Sequence, residues 1–313
     1  MHDKLISIVI PAFNEAENIP KIAAAIENLF KLLPYRYEII LVADGCTDST
    51  MDKILELIQT NKNIFYIEFS RNFGHQSALK AGLDHANGDC VISLDCDLQH
   101  PPEVIPEMLA KWELGYEVVY TIRKEDKKLP VSKRISSKLF YNTINSLSDV
   151  EIESGSADFR LLDKKVVRVM KNFNENEPFL RGLIKWIGFR QVSIEYYPNQ
   201  RTLGESKYHF KRMISFALQG VTSFSVRPLY AAIYLGFMFT MCSILYLPYI
   251  LHAIYTDKEV SGWASLLMTI VFFGGLQLMI LGIIGIYVGK MFMQVKERPN
   301  YIIRSTNLIT EPK

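Results

Sequence analysis

Two carboxylates in the first third of the chain have the spacing of a divalent-cation site. Asp95 and Asp97 are separated by one cysteine and directly follow an apolar run, residues 90–94. Mg²⁺ and Mn²⁺ prefer oxygen ligands and keep open positions for phosphate oxygens. The pattern therefore indicates a metal site that would share its cation with a pyrophosphate. Because acidic turns are common, an ordinary turn is an equally good interpretation of these two residues alone.

Two further polar turns follow apolar runs closer to the N-terminus. Residues 11–15 come after the first run, and residues 42–48 come after the second. Acidic side chains in such turns can accept hydrogen bonds from the N–H of a base or from ribose hydroxyls. Each segment taken alone could be only a turn. Together with Asp95 and Asp97, they predict one polar crevice.

A parallel sheet would bring these turns together. The predicted strands are five short runs rich in apolar and β-branched residues: 5–10, 38–43, 64–69, 90–94 and 118–121. Segments with helical spacing of apolar residues separate them, which predicts an α/β fold with a mostly parallel, Rossmann-like sheet covered on both faces. In such sheets ligands bind beyond the carboxyl ends of the strands. The polar turns are therefore the candidate functional residues.

Two long stretches in the last third carry no charged residue. They are residues 228–255 and 262–289. As helices of about 28 residues, each would be about 42 Å long and would exceed a hydrocarbon core of roughly 30 Å. Basic residues precede the first and follow the second, so both outer flanks are predicted to be cytosolic, with the loop 256–261 outside. The alternative is a pair of buried helices in a soluble core.

The remaining patterns divide the chain into two regions. Residues 130–147 and 205–226 combine apolar and basic side chains, as expected for helices on a membrane surface or for amphipathic helices packed on the sheet. The four cysteines have no paired spacing, and no signal-peptide pattern is present, so free thiols in the cytosol are expected. We therefore predict a cytosolic domain, residues 1–226, and a two-helix transmembrane region, residues 227–313, with a short cytosolic tail.

The polar turns belong to a larger pattern that spans nearly all of the predicted cytosolic domain. Its stretches are residues 9–15, 42–50, 70–74, 78–83, 95–103, 154–161 and 201–208. With them the chain resembles the family 2 glycosyltransferases of GT-A fold, specifically the branch that uses polyisoprenyl phosphates. That branch includes dolichol-phosphate mannose synthases and bactoprenol-phosphate glucosyltransferases.

The resemblance implies a role for individual residues. The donor nucleotide-sugar would be bound by Pro11, Phe13, Glu15, Asp44, Asp95, Arg201 and Lys207. A divalent metal, Mg²⁺ or Mn²⁺, would be held by Asp95, Asp97 and Gln99. The acceptor phosphate would be bound by Arg123 and Arg134. The catalytic residues would be Asp97 and Asp158, with Asp158 near the acceptor.

The residues themselves leave two of these roles open. A phosphate monoester has a second pKa near 6, so it is already a nucleophile at neutral pH. Asp158 would then orient the acceptor, and the alternative is that it acts as a general base. Arg123 and Arg134 suit bidentate phosphate binding, although solvated surface charges explain them equally well.

The choice of nucleotide is also open. Ala43 and Cys46 stand where the family usually has an acidic or amide residue and a serine. Among the family's donors a UDP-sugar is favoured over a GDP-sugar. The histidines have no ligand spacing, and no role is predicted for any of them: His75, His85, His100 and His209.

Other classes of protein fit less well. The chain has neither G-x-G-x-x-G after the first strand nor a P-loop, and it lacks the Q-x-x-R-W motif of processive polysaccharide synthases. The main alternative is a non-catalytic membrane scaffold, or a binding protein for lipid carriers, on a transferase fold.

The sequence therefore predicts inverting transfer of a sugar, such as glucose from UDP-glucose, to a polyprenyl phosphate. Undecaprenyl phosphate is the expected acceptor, and the glycolipid would serve cell-envelope glycan modification. The predicted location is the cytosolic face of the cytoplasmic membrane, with the bilayer as a partner and no nucleic acid. Small residues in the second apolar stretch favour a homo-oligomer.

Overall fold

The computed structural model describes residues 4–124, 155–175, 178–198, 225–255 and 262–308. The strands are β1 Leu5–Ala12, β2 Arg36–Ala43, β3 Ile64–Phe69, β4 Cys90–Ser93, β5 Val118–Arg123, β6 Ser156–Asp163, β7 Gln191–Tyr196 and β8 Ile303–Thr306. The helices are α1 Ile19–Phe30, α2 Thr50–Thr60, α3 His75–His85, α4 Ile105–Glu113, α5 Lys164–Lys171, α6 Leu180–Trp186, α7 Arg227–Tyr255 and α8 Trp263–Val295. A 3₁₀ turn, Pro102–Val104, precedes α4.

All strands belong to one sheet with the order β7-β5-β6-β4-β1-β2-β3-β8. The central strands β4, β1, β2 and β3 are parallel, and β5 and β7 are parallel to each other. Strand β6 runs antiparallel to both its neighbours, and β8 is antiparallel to β3. The five predicted strands and the mostly parallel sheet are confirmed. The sequence patterns did not predict β6, β7 or β8.

Apolar residues on both faces of the central strands explain why helices cover the sheet on both sides. Along β1, Ile8 belongs to the core cluster under α1 and α4, whereas its neighbour Val9 belongs to the cluster under α3. Helix α3 lies unusually close to β1 because Gly82 has no side chain. A Cβ there would be 2.1 Å from Val9 Cγ1. This close approach fixes the position of α3, whose first residues enter the site described below.

The two long apolar stretches form two long helices. Helix α7 has 29 residues, and α8 has 33 residues and runs to Val295, six positions beyond the predicted end. Among the residues described, one segment, Met268–Val295 in α8, is long and apolar enough to cross a membrane. Two membrane crossings therefore remain a prediction.

The segment after α8 returns to the sheet. The sequence predicts only a short tail there, but residues 303–306 form β8 and pair with β3. The register pairs Ile67 with Thr306 and Glu68 with Ser305. Residues on either side of the two long helices therefore contribute to one sheet.

Candidate active site

The predicted metal motif lies directly beyond β4. Asp97 Oδ1 accepts a hydrogen bond from the Gln99 backbone N–H at 3.1 Å, which closes a tight turn in which Leu98 has a φ of +59°. The Asp95 backbone N–H donates to His100 Nδ1 at 3.0 Å. A neutral His100 ring then carries its proton on Nε2, which lies 3.7 Å from Asp95 Oδ2.

Asp95 has an unsatisfied oxygen. Within the part of the chain that the structure describes, its buried Oδ1 atom accepts no hydrogen bond and has His75 Nε2 as an ion-pair partner at 3.5 Å. A buried carboxylate oxygen without a hydrogen bond is costly, so this atom is available as a ligand for a bound cation. The described residues contain no cluster of three or more His, Cys, Asp or Glu side chains arranged around a metal position. Asp95 and Asp97, with Gln99 as a further predicted ligand, are therefore suited to a divalent cation that would be shared with a diphosphate.

Asp158 lies opposite Asp95 across two antiparallel strands. Strands β4 and β6 pair Ser93 with Arg160, and continuing that register by two residues sets Asp158 against Asp95. The Ser93 hydroxyl donates to the Asp158 carbonyl at 2.6 Å, which ties the two strand ends together. The sheet thus brings the metal motif close to Asp158, which only the family resemblance had assigned to the acceptor side.

Every oxygen of the Asp158 carboxylate has a partner. Arg181 binds the carboxylate in a bidentate manner: Nε donates to Oδ1 at 2.7 Å, and Nη2 donates to Oδ2 at 2.8 Å. Gln76 Nε2 donates to Oδ2 at 3.3 Å, and His75 Nε2 lies 3.4 Å from the same atom. Burial opposes the charged form, but Arg181 and His75 outweigh it and hold the pKa of Asp158 well below its usual range. Asp158 is therefore an ionised anchor.

His75 connects the two carboxylates. Its Nε2 faces Asp95 Oδ1 and Asp158 Oδ2 at nearly equal distances, 3.5 and 3.4 Å. Burial acts to lower the pKa of His75, yet the hydrogen bond to Asp158 and the charge of Asp95 raise it overall. A protonated ring between two carboxylates offsets their mutual repulsion.

The predicted donor turns come together as expected. The Thr47 backbone N–H donates to Asn14 Oδ1 at 2.9 Å, joining the turn after β1 to the turn after β2. Phe13 is 45% exposed at this edge, whereas Pro11 is buried within β1. Glu15 Oε2 accepts from Asn18 Nδ2 at 2.6 Å just before α1.

Asp44 holds the loop between β3 and α3. Its carboxylate accepts from the backbone N–H groups of Phe73 at 2.7 Å and Gly74 at 3.0 Å. The residue is 3% exposed, and burial raises its pKa despite these bonds. Gly45 has a φ of +62°, and a Cβ there would lie 2.2 Å from the Arg71 carbonyl carbon. Asp44 therefore fixes the conformation of this loop beside the turn after β2.

Arg123 at the end of β5 faces the metal motif. Its Nη1 donates to Gln99 Oε1 at 3.2 Å, so the arginine predicted to bind acceptor phosphate contacts a predicted metal ligand. Three other predicted site residues, Arg134, Arg201 and Lys207, lie outside the described residues, as do nearly all residues of the two predicted interfacial segments.

Four side chains in the site had no predicted role. They are His75, Gln76, His100 and Arg181. No role followed from the sequence for any histidine, whereas the structure places His75 and His100 beside Asp95. Their positions held a signal, because His75 directly follows residues 70–74 and His100 lies within residues 95–103, and both stretches carry the family resemblance. Arg181 had no such signal, since only the fold brings α6 to Asp158.

The chain is similar to known glycosyltransferases along most of its length. The model of the family described as "Glycosyl transferase family 2" matches residues 7–171. An uncharacterized glycosyltransferase, YkcC, of Bacillus subtilis is 38% identical over 301 residues, which cover 96% of this chain and 93% of the relative. The SfII prophage-derived bactoprenol glucosyl transferase of Shigella flexneri is 38% identical over 303 residues, covering 96% and 98%.

A solved structure supports the same fold. The mannosyltransferase PcManGT from Pyrobaculum calidifontis, solved with GDP-Man and Mn²⁺, aligns with a TM-score of 0.50 at 16% identity, covering 95% of this chain and 88% of that one. The identity supports a likeness in fold alone. The family model and the sequence relatives identify the chain as a glycosyltransferase that belongs to family 2.

Proposed function

We propose that this enzyme transfers a sugar, with inversion, from a nucleotide-diphosphate sugar to a polyprenyl phosphate. The observation that carries the proposal is the pair of facing carboxylates: Asp95 has a buried oxygen without a hydrogen bond, and Asp158 is fully paired with cations. The similarity to bactoprenol glucosyl transferases supports a polyprenyl phosphate acceptor. UDP-glucose is the favoured donor, and undecaprenyl phosphate is the favoured acceptor.

Asp95 and Asp97 would hold the donor side. A divalent cation on these carboxylates, Mg²⁺ or Mn²⁺, would neutralise the nucleoside diphosphate as it leaves. Gln99 would help to hold that cation, and the Arg123 guanidinium, bonded to Gln99, would add positive charge beside the phosphates. Asp44 and the loop that it holds would support the nucleoside, together with Pro11, Phe13 and Glu15.

Asp158 would act by position. One oxygen of the acceptor phosphate attacks the anomeric carbon, the bond from that carbon to the diphosphate oxygen breaks, and the configuration inverts. The acceptor is already an anion at neutral pH, so no proton has to be removed. A carboxylate that is bound by Arg181 and has a depressed pKa is a poor base, which favours the orienting role over the general-base role. Arg134, Arg201 and Lys207 would supply further phosphate contacts.

The return of the chain to the sheet supports a membrane hairpin. Strand β8 follows α8 and pairs with β3, so both flanks of the α7–α8 pair lie on the same side of any membrane. If α8 crosses a bilayer, the segment before it must cross back, and α7 has the necessary length of 29 residues. The basic flanks favour the cytosolic side. The site would then face lipid-borne acceptor in the cytosolic leaflet, and self-association of the helices remains a prediction.

A product assay tests the proposal. Purified protein in lipid vesicles is given undecaprenyl phosphate, Mg²⁺ or Mn²⁺, and one of several UDP- or GDP-sugars, and the lipid fraction is analysed by mass spectrometry. We expect one donor to give a glycosylated polyprenyl phosphate. If no donor is consumed while donor or lipid still binds, the alternative of a non-catalytic scaffold is correct.

A further inference from the structure

The segment after α8, residues 301–308, contacts the β3 end of the loop that borders the candidate site and the far, C-terminal end of the helix that follows this loop. We call this segment the C-terminal clamp and residues 70–75 the donor loop. The donor loop connects β3 to α3 and contains the two N–H groups that Asp44 holds. The clamp lies along β3 and reaches α3 as well.

At the β3 end, the clamp fixes the first residue of the donor loop. The Ser70 backbone N–H donates to the Ile302 carbonyl at 3.0 Å. Arg304 Nη2 donates to the Ser70 carbonyl at 2.9 Å, and its Nη1 donates to Glu68 Oε1 at 3.2 Å. Both backbone groups of Ser70 are therefore bound by the clamp.

At the C-terminal end of α3, remote from the loop, the clamp contacts the helix through one tyrosine. The Tyr301 ring stacks on Phe69 with a centroid distance of 5.2 Å, and its hydroxyl donates to Asp84 Oδ2 at 3.0 Å. Asp84 also pairs with the buried Lys80 on the same helix. The first residue of this helix is His75, which faces Asp95 and Asp158. Tyr301 thus ties the clamp to the helix that presents a site residue.

We propose that the C-terminal clamp positions the donor loop, with Arg304 and Tyr301 as positioning residues for donor binding. The inference rests on the proposed function. Arg304 acts through Ser70, Phe73 and Gly74 on Asp44, and it touches no predicted substrate position. Because the clamp directly follows α8, the position of that helix bears on the donor side of the site.

Because Arg304 is exposed, its proposed role in positioning the donor loop can be distinguished from a role in folding stability. Its side chain is 60% exposed where it pairs with Glu68. Exposed ion pairs contribute little to folding stability, so removing Arg304 should leave the melting temperature almost unchanged. A change in donor binding without a change in melting would therefore report on the position of the loop.

The test compares Arg304→Ala with Ser305→Ala in the full-length protein. Ser305 is the matched control because its hydroxyl binds Glu68 at 2.7 Å, on the same strand, without contacting Ser70. We expect Arg304→Ala to raise the KM for the nucleotide-sugar about tenfold, as if the released donor loop held its binding conformation about a tenth of the time. The kcat at saturating donor should stay within about twofold, because the lost contact acts on binding. Ser305→Ala should leave both constants nearly unchanged.

Hydrogen exchange supplies a second measurement. The Phe73 and Gly74 amides should exchange faster in Arg304→Ala and in Tyr301→Phe than in Ser305→Ala. Equal KM values and equal exchange in all variants would overturn the inference. So would a drop in melting temperature that accounts for the whole loss of activity. The proposed function fails separately, through absence of transfer by the unmodified protein.

Discussion

Asp95 and Asp158 face each other across β4 and β6, but the two halves of the sheet use them differently. On the donor side, Asp95 keeps a buried oxygen without a hydrogen bond, in a turn directly after a parallel strand. On the opposite side, Asp158 lies within an antiparallel strand and has partners on both oxygens. The same residue type is thus suited to bind a ligand in one half and to organise neighbouring cations in the other.

The largest effect is expected on the donor side. Asp97→Asn keeps the shape of the side chain but loses the charge that would hold a cation. We expect transfer to fall about a thousandfold, the upper end for removing one charge-stabilising group, with the melting temperature unchanged. Asp52→Asn, on the exposed side of α2, is the matched control. Full activity of Asp97→Asn, or of the unmodified enzyme in excess chelator, would contradict a metal role.

A smaller loss of activity, accompanied by a loss of stability, is expected on the opposite side. Arg181→Ala leaves Asp158 buried and without its main cation, which should cost about 3 kcal/mol of unfolding free energy. We expect kcat to fall about a hundredfold, because a displaced Asp158 also releases His75. Lys185→Ala on the same helix is the control.

A double variant distinguishes pairing from independent effects. Asp158→Asn combined with Arg181→Ala should be less destabilised than the two single variants added together. Additive effects would mean that the two residues do not act as a pair.

The dependence of stability on pH should differ in sign between the two halves. The pKa of Asp158 is depressed from 3.8, so its contribution is present above about pH 5 and is lost as the pH falls below about 4. The pKa of Asp44 is raised, so its contribution declines as the pH rises above about 4. The free energy of unfolding can be measured by chemical denaturation between pH 3 and 6. Asp158→Asn should lose the contribution that rises with pH, and Asp44→Asn should lose the contribution that falls with pH. Identical pH profiles would refute this difference.

The smallest effect is expected where the donor side departs from the family pattern. Cys46 Sγ lies 3.5 Å from the Ala12 carbonyl, and a serine hydroxyl could make the same contact. Cys46→Ser should therefore change the KM for the donor by no more than about twofold, because serine is nearly isosteric with cysteine and keeps the contact with the Ala12 carbonyl. A switch in preference between UDP- and GDP-sugars would show instead that this position selects the base.

The donor side could be predicted from sequence because its signals are local. Each apolar run of β1, β2 and β4 is followed directly by its polar turn, and parallel strands bring such turns to one edge. That rule alone predicts that Asp95, Asp97 and the turns after β1 and β2 lie at one edge of the sheet, and their binding of a donor stays a prediction.

The opposite side depends on contacts between distant residues. Asp158 was found through resemblance, since nothing local distinguishes an aspartate inside an antiparallel strand. Its partners lie 23 residues away at Arg181 and 82 residues away at Gln76. Strand β8 was missed for a similar reason, because four residues of no marked pattern become a strand only beside the open edge of β3.

Strand β8 also fixes an order of events during synthesis. Its partner β3 is made long before α7 and α8, whereas β8 leaves the ribosome after both helices. The β3 edge therefore stays open, with unpaired backbone groups, until the helices have been made and can enter the bilayer. We predict that nascent chains ending at Asn300 are cut by protease within residues 70–75, and that an added peptide with the sequence of residues 301–308 slows the cleavage. If the peptide does not slow the cleavage, the edge of β3 does not depend on pairing with β8 after the helices have been made.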